Sequence, residues 1–322
     1  MGRGPLRFDD RMRFFTEVGP ASVRPHPSQL DGVASVIAFA SARGGAGKSA
    51  LAVNIAIAAV QAGVKVGILD ADLNAPSITA MLGMRPPRRP GPVDWIEPLA
   101  GPLGLRVASC DLIPDRESAS VSFLEEGVAP APANGGRHLT VSYSQTLRTL
   151  LTQTRWGALD LLLVDLSCGT EALARFIEIE PQAAVVLVTH PSGQSARATG
   201  EMLEFLKASR TAVLGVIENM VGFNCDRCHS VRPLMPQGAI AAVAAAARVP
   251  VLERLAFDPR LAETNDLGRF FVRDYADTPL AKQFVTLART LKQAPRLTSR
   301  AESPIGAAHP QSSPVSPFAS GD

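Results

Sequence analysis

The sequence has few aromatic residues, little excess charge and no long apolar run. Aromatic residues make up only 5% of the 322 residues, so alanine, valine and leucine must fill most of a core, as in parallel sheets covered by helices. The formal net charge of +2 argues against broad binding to nucleic acid or anionic lipid. Since the chain has neither the roughly 18 consecutive apolar residues of a membrane span nor the apolar core of a signal peptide, we expect a cytoplasmic location without membrane or nucleic-acid partners.

Cysteine is also scarce, and two of the four cysteines stand close together. Four are too few for a disulfide scaffold in a chain of this length. Cys225 and Cys228 have the CxxC spacing that lets two thiolates reach one metal, and His229 follows directly. The pair fits a haem c attachment, a redox dithiol or zinc site with His229, or a metal or cluster that receives two thiolates from each of two chains. Cys110 and Cys168 stand singly after strands, where small buried apolar side chains are the favoured interpretation. For Cys168, which is close to Asp165 in the sequence, a place in the lining of a nucleotide site is the alternative.

Short apolar runs alternate with amphipathic segments of helix length over most of the chain. Strands are predicted at residues 35–40, 65–70, 105–109, 159–165, 183–189, 212–217 and 250–254, and helices at 48–62, 142–154, 170–178, 194–208, 236–247 and 277–292. This alternation predicts an α/β fold with a doubly wound, mostly parallel sheet and helices on both faces. We expect one domain over 33–293, a flexible arm over 1–32 and a disordered Pro/Ser-rich tail over 294–322.

A glycine-rich loop follows the first predicted strand and precedes the first predicted helix. Its residues are Arg43, Gly44, Gly45, Ala46, Gly47, Lys48, Ser49 and Ala50. Glycines let backbone N–H groups turn toward phosphate oxygens, Lys48 can neutralise phosphate charge, and the Ser49 hydroxyl can bind Mg²⁺. The pattern GxxxxGK[ST] requires glycine where this chain has Ala42, so the motif is incomplete. The alternative is a glycine-rich start of a helix that binds no ligand.

Carboxylates end two of the apolar strands. Asp70 and Asp72 follow the second predicted strand, and Asp165 ends the run LDLLLVD. Parallel sheets bind their ligands at this edge, and the carboxylates there could hold Mg²⁺-bound water and orient an attacking water. A single strand-end carboxylate is more often a helix cap. Two such positions in a chain that also has the glycine-rich loop favour a nucleotide site.

Six stretches between about residues 35 and 270 carry a family resemblance. They are VIAFASARGGAGKSALAVNIA, VGILDADLNAPSITAMLG, RWGALDLLLVDLSCGT, VTHP, VLGVIENMVGFNCDRC and VPVLERLAFDPRL. In this order they resemble the Mrp (ApbC-type) family of iron-sulfur cluster carrier ATPases. That family is part of the group of deviant phosphate-loop ATPases that includes MinD and ParA. The combination of DADxxxPS, ENM and CxxC is far more specific than any one of these motifs.

The resemblance implies a P-loop NTPase fold, a homodimer, and ATP, Mg²⁺ and a 4Fe-4S cluster as ligands. The family's loop reads KGGxGKS, and Arg43 stands at its first lysine, which in this group often reaches the nucleotide across a dimer interface. Asn219 would contact the adenine base. The implied site residues are Lys48, Asp72 and Arg43 for catalysis; Gly44, Gly45, Ala46, Gly47, Lys48, Ser49, Ala50 and Asn219 for the nucleotide; Ser49 and Asp165 for Mg²⁺; and Cys225 and Cys228 for the cluster.

The chain departs from the family's DLPPGTGD stretch, and this bears on turnover. Residues 165–172 read DLSCGTEA, without both prolines and the last aspartate, and Ala50 replaces a threonine. We expect an ATP-binding carrier that receives a cluster from an assembly scaffold, transfers it to apo iron-sulfur proteins and hydrolyses ATP weakly. The alternatives are a MinD-like or ParA-like positioning ATPase and a nucleotide-binding paralogue without hydrolysis. A positioning ATPase calls for a basic amphipathic terminal helix or a basic surface, which the Pro/Ser tail does not supply.

Overall fold

The computed structural model describes residues 30–85, 95–110, 120–124, 138–224 and 231–296. The strands are β1 Val36–Ala40, β2 Val66–Ala71, β3 Leu99–Ala100, β4 Arg106–Ser109, β5 Ser120–Leu124, β6 His138–Ser142, β7 Leu161–Leu166, β8 Ala184–Thr189, β9 Ala212–Asn224, β10 Val231–Pro233 and β11 Val251–Phe257. The α-helices are α1 Lys48–Gln61, α2 Ile78–Met81, α3 Tyr143–Thr152, α4 Thr170–Ile179, α5 Gly193–Ala208, α6 Ala239–Ala246, α7 Pro259–Asp266, α8 Phe271–Asp274 and α9 Pro279–Lys292.

One large sheet runs through the described residues in the order β10-β9-β8-β1-β7-β2-β4-β3, and β11 pairs with β9. The β3 and β10 pairings are antiparallel, whereas the central pairings are parallel. β5 and β6 form a separate parallel pair. The carboxyl ends of β1, β2 and β7 therefore meet at one edge of the sheet, where a doubly wound fold binds its ligand.

Apolar side chains fill a core on each face of the sheet. In β1, Val36, Ala38 and Ala40 pack into one core, and Ile37 and Phe39 pack into the other. The first core is closed by side chains of α3, α4, α5 and α6, and the second by those of α1, α8 and α9. Both faces of β1 are covered, so its sequence is apolar throughout instead of alternating with polar residues.

The predicted fold class is confirmed, with helices on both faces of a mostly parallel sheet. All seven predicted strands and six predicted helices are present, with ends that shift by a few residues in most elements. The largest difference is β9, which continues from the predicted end at 217 to Asn224. Its second half pairs with β10 and β11, although Glu218 and Asn219 interrupt the apolar pattern. Tertiary pairing extends this strand beyond what local hydropathy indicates.

Helix α7 was not predicted, although the sequence contains a signal for its start. The Asp258 side chain accepts a hydrogen bond from the Arg260 backbone N–H, and Pro259 occupies the first helical turn, where its missing N–H costs nothing. The helix is short, and its sequence PRLAETND is too polar to show an apolar stripe. Capping chemistry is therefore the signal that identifies it.

The described residues slightly exceed the predicted domain at both ends. Leu30 is buried in one core, and Ala294 is buried in the other. The Ser35 hydroxyl also donates to the backbone oxygen of Pro295. Most of the predicted arm and tail lies outside the described residues. Within the residues that are described, no helix is both long and apolar enough to cross a membrane.

Candidate functional site

The loop between β1 and α1 contains two glycines with left-handed backbone conformations, and the second of them caps α1. Gly45 and Gly47 have φ values of 79° and 84°, in the left-handed region that strains most residues with a side chain. A Cβ atom on Gly47 would lie 2.4 Å from Nδ2 of Asn219. Gly47 is thus required by its backbone conformation and by a close neighbour. Ala42 packs against one core, so alanine is accommodated where the complete motif has glycine.

A pocket of about 250 Å³ opens in front of this loop. It is lined by Ser41, Gly44, Gly45, Ala46, Gly47, Lys48, Ser49, Ala50, Asp72, Met81 and Cys168. The structure therefore brings together all the predicted nucleotide-binding residues from 44 to 50, and adds Asp72 to them. The first turn of α1 has no acidic residue, which leaves the positive end of the helix dipole uncompensated for an anion.

Lys48 and Asp165 form a buried ion pair at the base of the pocket. Lys48 Nζ lies 2.6 Å from Asp165 Oδ1, and the two side chains are 7% and 0% exposed. Lys48 is the first residue of α1, and Asp165 is the penultimate residue of β7. The pair is possible because β7 lies directly beside β1 in the sheet, so its carboxyl end faces the loop that follows β1.

Asp165 retains one oxygen that suits a cation. Burial raises the pKa of Asp165, whereas Lys48 and a hydrogen bond from Ser49 act in the opposite direction. Within the described residues, the buried Oδ2 atom has no hydrogen-bond partner. An unpaired carboxylate oxygen beside a serine hydroxyl is the hard oxygen donor set that Mg²⁺ prefers. Ser49 and Asp165 therefore fit Mg²⁺.

Asp70 lies beside Asp165 and organises the loop after β2. The two aspartates are register partners on neighbouring strands. The Asp70 carboxylate accepts backbone N–H bonds from Asp72, Ser77 and Ile78, at 3.2, 2.8 and 2.9 Å. Burial and the nearby Asp165 carboxylate raise the pKa of Asp70 to about 7. Asp70 was recognised in the sequence as a strand-end acid, but its part in shaping the loop that carries Asp72 was missed.

Asp72 faces the pocket and bonds to the loop after β7. Its side chain is half-buried, and Oδ1 accepts a hydrogen bond of 2.9 Å from the Ser167 hydroxyl. The turn that carries Ser167 is also joined to the loop after β1, because the Gly169 N–H donates to Ser41 O at 2.8 Å. Hydrogen bonds therefore connect the loops that follow β1, β2 and β7.

Asn219 of β9 contacts the glycine-rich loop between β1 and α1. Its side-chain Nδ2 donates to the Ala46 backbone oxygen at 2.9 Å, and the residue is only 5% exposed. Asn219 does not line the pocket described above. The described contact is with the phosphate loop, whereas the sequence reasoning assigned Asn219 to the adenine base.

Arg43 and the cysteines occupy different environments. Arg43 is exposed and lies outside the pocket lining, on the side of the loop near His190. Cys110 is buried, as expected, but Cys168 is exposed and lines the pocket. For Cys168 the favoured prediction of a buried apolar side chain was wrong and the alternative place in the pocket lining is observed, because Cys168 lies past the end of β7, in the turn beside the phosphate loop. Cys225 and Cys228 lie outside the described residues.

Comparison with known proteins identifies the family. Residues 32–292 match the ParA-type family described as NUBPL iron-transfer P-loop NTPase. The chain belongs to this family. An iron-sulfur cluster carrier protein of Saccharolobus solfataricus is 32% identical over 254 residues, which cover 78% of this chain and 81% of that protein. The human cytosolic Fe-S cluster assembly factor NUBP2 is 30% identical, with 83% of this chain and 96% of the relative covered.

Solved structures agree with the fold of this NUBPL-type P-loop NTPase. A nucleotide-binding protein from Archaeoglobus fulgidus, in complex with ADP, has a TM-score of 0.61 and 27% identity, and the match covers 80% of this chain and 94% of that one. The cell division ATPase MinD of Pyrococcus furiosus has a TM-score of 0.52 and 20% identity, over 80% and 98% of the two chains. The likeness to MinD concerns the fold alone.

Ser167 is a residue beside the site of this P-loop NTPase whose contact was not predicted from the sequence. It was noted only as a departure from the family's prolines, although its hydroxyl contacts Asp72. A signal was nevertheless present, because DAD at 70–72 and DLS at 165–167 both end apolar strands. Aligning the two strands at their aspartates places Asp72 opposite Ser167.

Proposed function

We propose that this protein is an ATP-binding carrier that holds an iron-sulfur cluster on Cys225 and Cys228 and passes it to apo-proteins. One observation carries the proposal: a phosphate loop with its acidic partners belongs to a chain of an iron-transfer family, and β9 runs from that loop to the cysteine pair. The relatives named as cluster carriers and as a cytosolic Fe-S assembly factor support both the cargo and a cytosolic location.

The pocket supplies the groups that ATP binding requires. Backbone N–H groups of residues 44–49 would bind phosphate oxygens at the start of α1, and Lys48 would exchange its bond with Asp165 for one with phosphate. Ser49 and Asp165 would hold Mg²⁺, which supplies neutralisation of the phosphate charge when bound. Asp72, which also lines the pocket, would orient water, both at the cation held by Ser49 and Asp165 and for attack on the phosphate. Hydrolysis is expected to be slow because residues 167–172 lack the family's prolines and final aspartate.

Strand β9 offers a direct route from the nucleotide to the cargo. Asn219 contacts the phosphate loop, and five residues further the strand ends at Asn224, immediately before Cys225. At about 3.3 Å per residue, this separates the two functions by at most roughly 17 Å, since the backbone is not extended at Met220, where φ is 58°. Within this stretch Gln237 donates to Val221 O at 2.9 Å, and directly before it Glu218 pairs with Arg254 at 2.6 Å. A displacement of the phosphate loop that moves Asn219 would therefore act on the strand that ends beside the cysteine pair.

A second copy of the chain would complete the cluster site. Cys225 and Cys228 supply two thiolates, whereas a 4Fe-4S cluster takes four. Val231 of β10 pairs with Asn224 of β9, so both cysteines belong to the short connection between two paired strands. Two such connections related by a two-fold axis would give four ligands. The exposed Arg43 is available to reach the nucleotide of the partner in the same dimer.

Anaerobic reconstitution of the full chain with ferrous iron and sulfide tests this function. We expect about two iron atoms and two sulfides per chain, a broad visible charge-transfer band and a dimeric mass, as for one 4Fe-4S cluster between two chains. The loaded protein should transfer its cluster to an apo-ferredoxin. The Cys225→Ala/Cys228→Ala variant should lose the cluster and the transfer, whereas Cys110→Ala should retain both.

Equal iron in the wild type and in Cys225→Ala/Cys228→Ala would end the carrier hypothesis. Binding of zinc without sulfide would reassign the pair as a zinc site. Nucleotide binding is scored separately with a fluorescent ATP analogue, so that loss of the cargo and loss of the nucleotide remain distinct results.

A further inference from the structure

Two neighbouring parallel strands carry polar side chains at matching positions. β2 and β7 pair with Asp70 opposite Asp165 and Ala71 opposite Leu166. The next residues along the two chains are Asp72 and Ser167, which meet through the 2.9 Å bond from the Ser167 hydroxyl to Asp72 Oδ1. The aspartate pair Asp70 and Asp165 is thus followed, two residues further along each chain segment, by Asp72 and the hydroxyl of Ser167.

The position of Ser167 is fixed from both sides. Leu166, the last residue of β7, is fully buried, and the Gly169 N–H donates to Ser41 O. The serine stands where the pattern DLPPGTGD has its first proline, a residue that has no hydroxyl. In this chain the Ser167 hydroxyl bonds to Asp72 at the position where the family pattern has a proline ring that restricts the turn.

We propose that Ser167 is a positioning residue that holds the Asp72 carboxylate at the wall of the phosphate pocket, in the orientation that Mg²⁺-bound nucleotide requires. Asp72 lines the pocket together with Ser49 and is only half-buried, so the hydrogen bond from Ser167 restrains the orientation of its carboxylate. A donor that fixes the carboxylate before the ligand arrives reduces the ordering cost of binding. The assignment rests on the proposed nucleotide-binding function and adds a residue to it.

The hydrogen bond from Ser167 to Asp72 predicts an effect on nucleotide binding that depends on Mg²⁺. The phosphate loop and Lys48 bind nucleotide with or without Mg²⁺, whereas Asp72 contributes through water on the cation. Loss of the Ser167 hydroxyl should therefore weaken binding in Mg²⁺ and leave binding in EDTA nearly unchanged. A merely structural role would weaken both.

Fluorescence titration of the full chain with the N-methylanthraniloyl derivative of the non-hydrolysable analogue AMP-PNP separates these outcomes. For Ser167→Ala we expect a Kd in Mg²⁺ that is at least about fivefold weaker than that of the wild type, and a Kd in EDTA within about twofold. Ser167→Thr keeps the hydroxyl and should restore Mg²⁺-dependent binding. Ser209→Ala removes an exposed hydroxyl that donates to the Phe205 backbone oxygen, and should match the wild type in both conditions.

The same titration in an Asp72→Asn background tests whether Ser167 acts through Asp72. There, Ser167→Ala should add no further loss. An unchanged Kd of Ser167→Ala in Mg²⁺, equal losses in Mg²⁺ and EDTA, or an undiminished loss in the Asp72→Asn background would each overturn the assignment. A wild type that binds the Mg²⁺ analogue but no iron refutes the carrier function alone. A wild type that binds no analogue refutes the ATP-dependent function and this assignment together.

Discussion

The buried ion pair of Lys48 with Asp165 leads to a quantitative prediction for the nucleotide-free protein. Lys48→Met removes the ammonium group at little change in volume and leaves Asp165 buried without its opposite charge. Breaking a buried pair in this way costs about 3–5 kcal/mol. With a urea m value of about 3 kcal/mol/M, the unfolding midpoint should fall by roughly 1 M or more. Lys48 therefore stabilises the fold as well as serving the phosphate site.

The loss of stability in Lys48→Met should increase with pH. At low pH Asp165 binds a proton and is then no longer an unpaired buried charge. Burial already raises the pKa of Asp165, and the loss of Lys48 raises that pKa further. In the unfolded chain, aspartate ionises at about pH 3.9. Between that value and the folded pKa, the folded state binds more protons than the unfolded state, so stability falls as pH rises. We expect the free-energy difference between Lys48→Met and the wild type to be larger at pH 8 than at pH 5.

Urea unfolding in EDTA, followed by circular dichroism, measures both effects. Lys282→Met, which alters an exposed lysine of α9, is the matched control and should stay within about 0.5 kcal/mol of the wild type. The double variant Lys48→Met/Asp165→Asn has neither charge of the pair and should be more stable than Lys48→Met alone. Coincident midpoints of Lys48→Met and the wild type at pH 8 would refute the reasoning.

Two further predictions concern Cys168 and Asp70. Because Cys168 is exposed and lines the pocket, Mg²⁺-ATP should slow its alkylation by N-ethylmaleimide in proportion to the fraction of sites occupied by nucleotide. Peptide mass spectrometry measures the alkylation, and the buried Cys110 should stay unreactive. An alkylation rate of Cys168 that nucleotide does not change would contradict the proposed site. Because burial raises the pKa of Asp70 to about 7, this residue should lower stability as pH rises from about 4 to 7; Asp70→Asn should flatten that part of the urea-midpoint profile, and an unchanged slope would count against it.

The sequence was most informative where local pattern and tertiary structure agree. β1 is apolar throughout, and β7 is apolar up to Asp165, because both of their faces are covered, so their type and position could be predicted. β9 was predicted too short because pairing with β10 and β11, and not hydropathy, sustains its second half. For α7 the cap formed by Asp258 was visible in the sequence, whereas the expected apolar stripe was absent.

For the site, residue types could be predicted more readily than their contacts. The glycines, Lys48 and Ser49 were identified by spacing, since the loop's backbone conformation depends on short-range sequence. The bond from Ser167 to Asp72 joins residues 95 positions apart and depends on the order of strands in the sheet, which no local pattern specifies. For Cys168 the sequence left the core and the pocket lining as alternatives and favoured the core, because proximity to a buried strand does not reveal where that strand ends.

Strand β9 also sets a constraint on permitted changes in length. Between Asn219, in contact with the phosphate loop, and Asn224 the chain stays in one strand, which is irregular at Met220, where φ is 58°, and in its register with β11. A one-residue insertion after Met220 would turn the later side chains of the strand to the opposite face. A two-residue insertion would preserve the facing and move the end of the strand outward by about 6.6 Å. Substitutions that keep the length of the strand should be tolerated along this stretch. Insertions of one or of two residues should instead remove the effect of nucleotide binding on cluster binding.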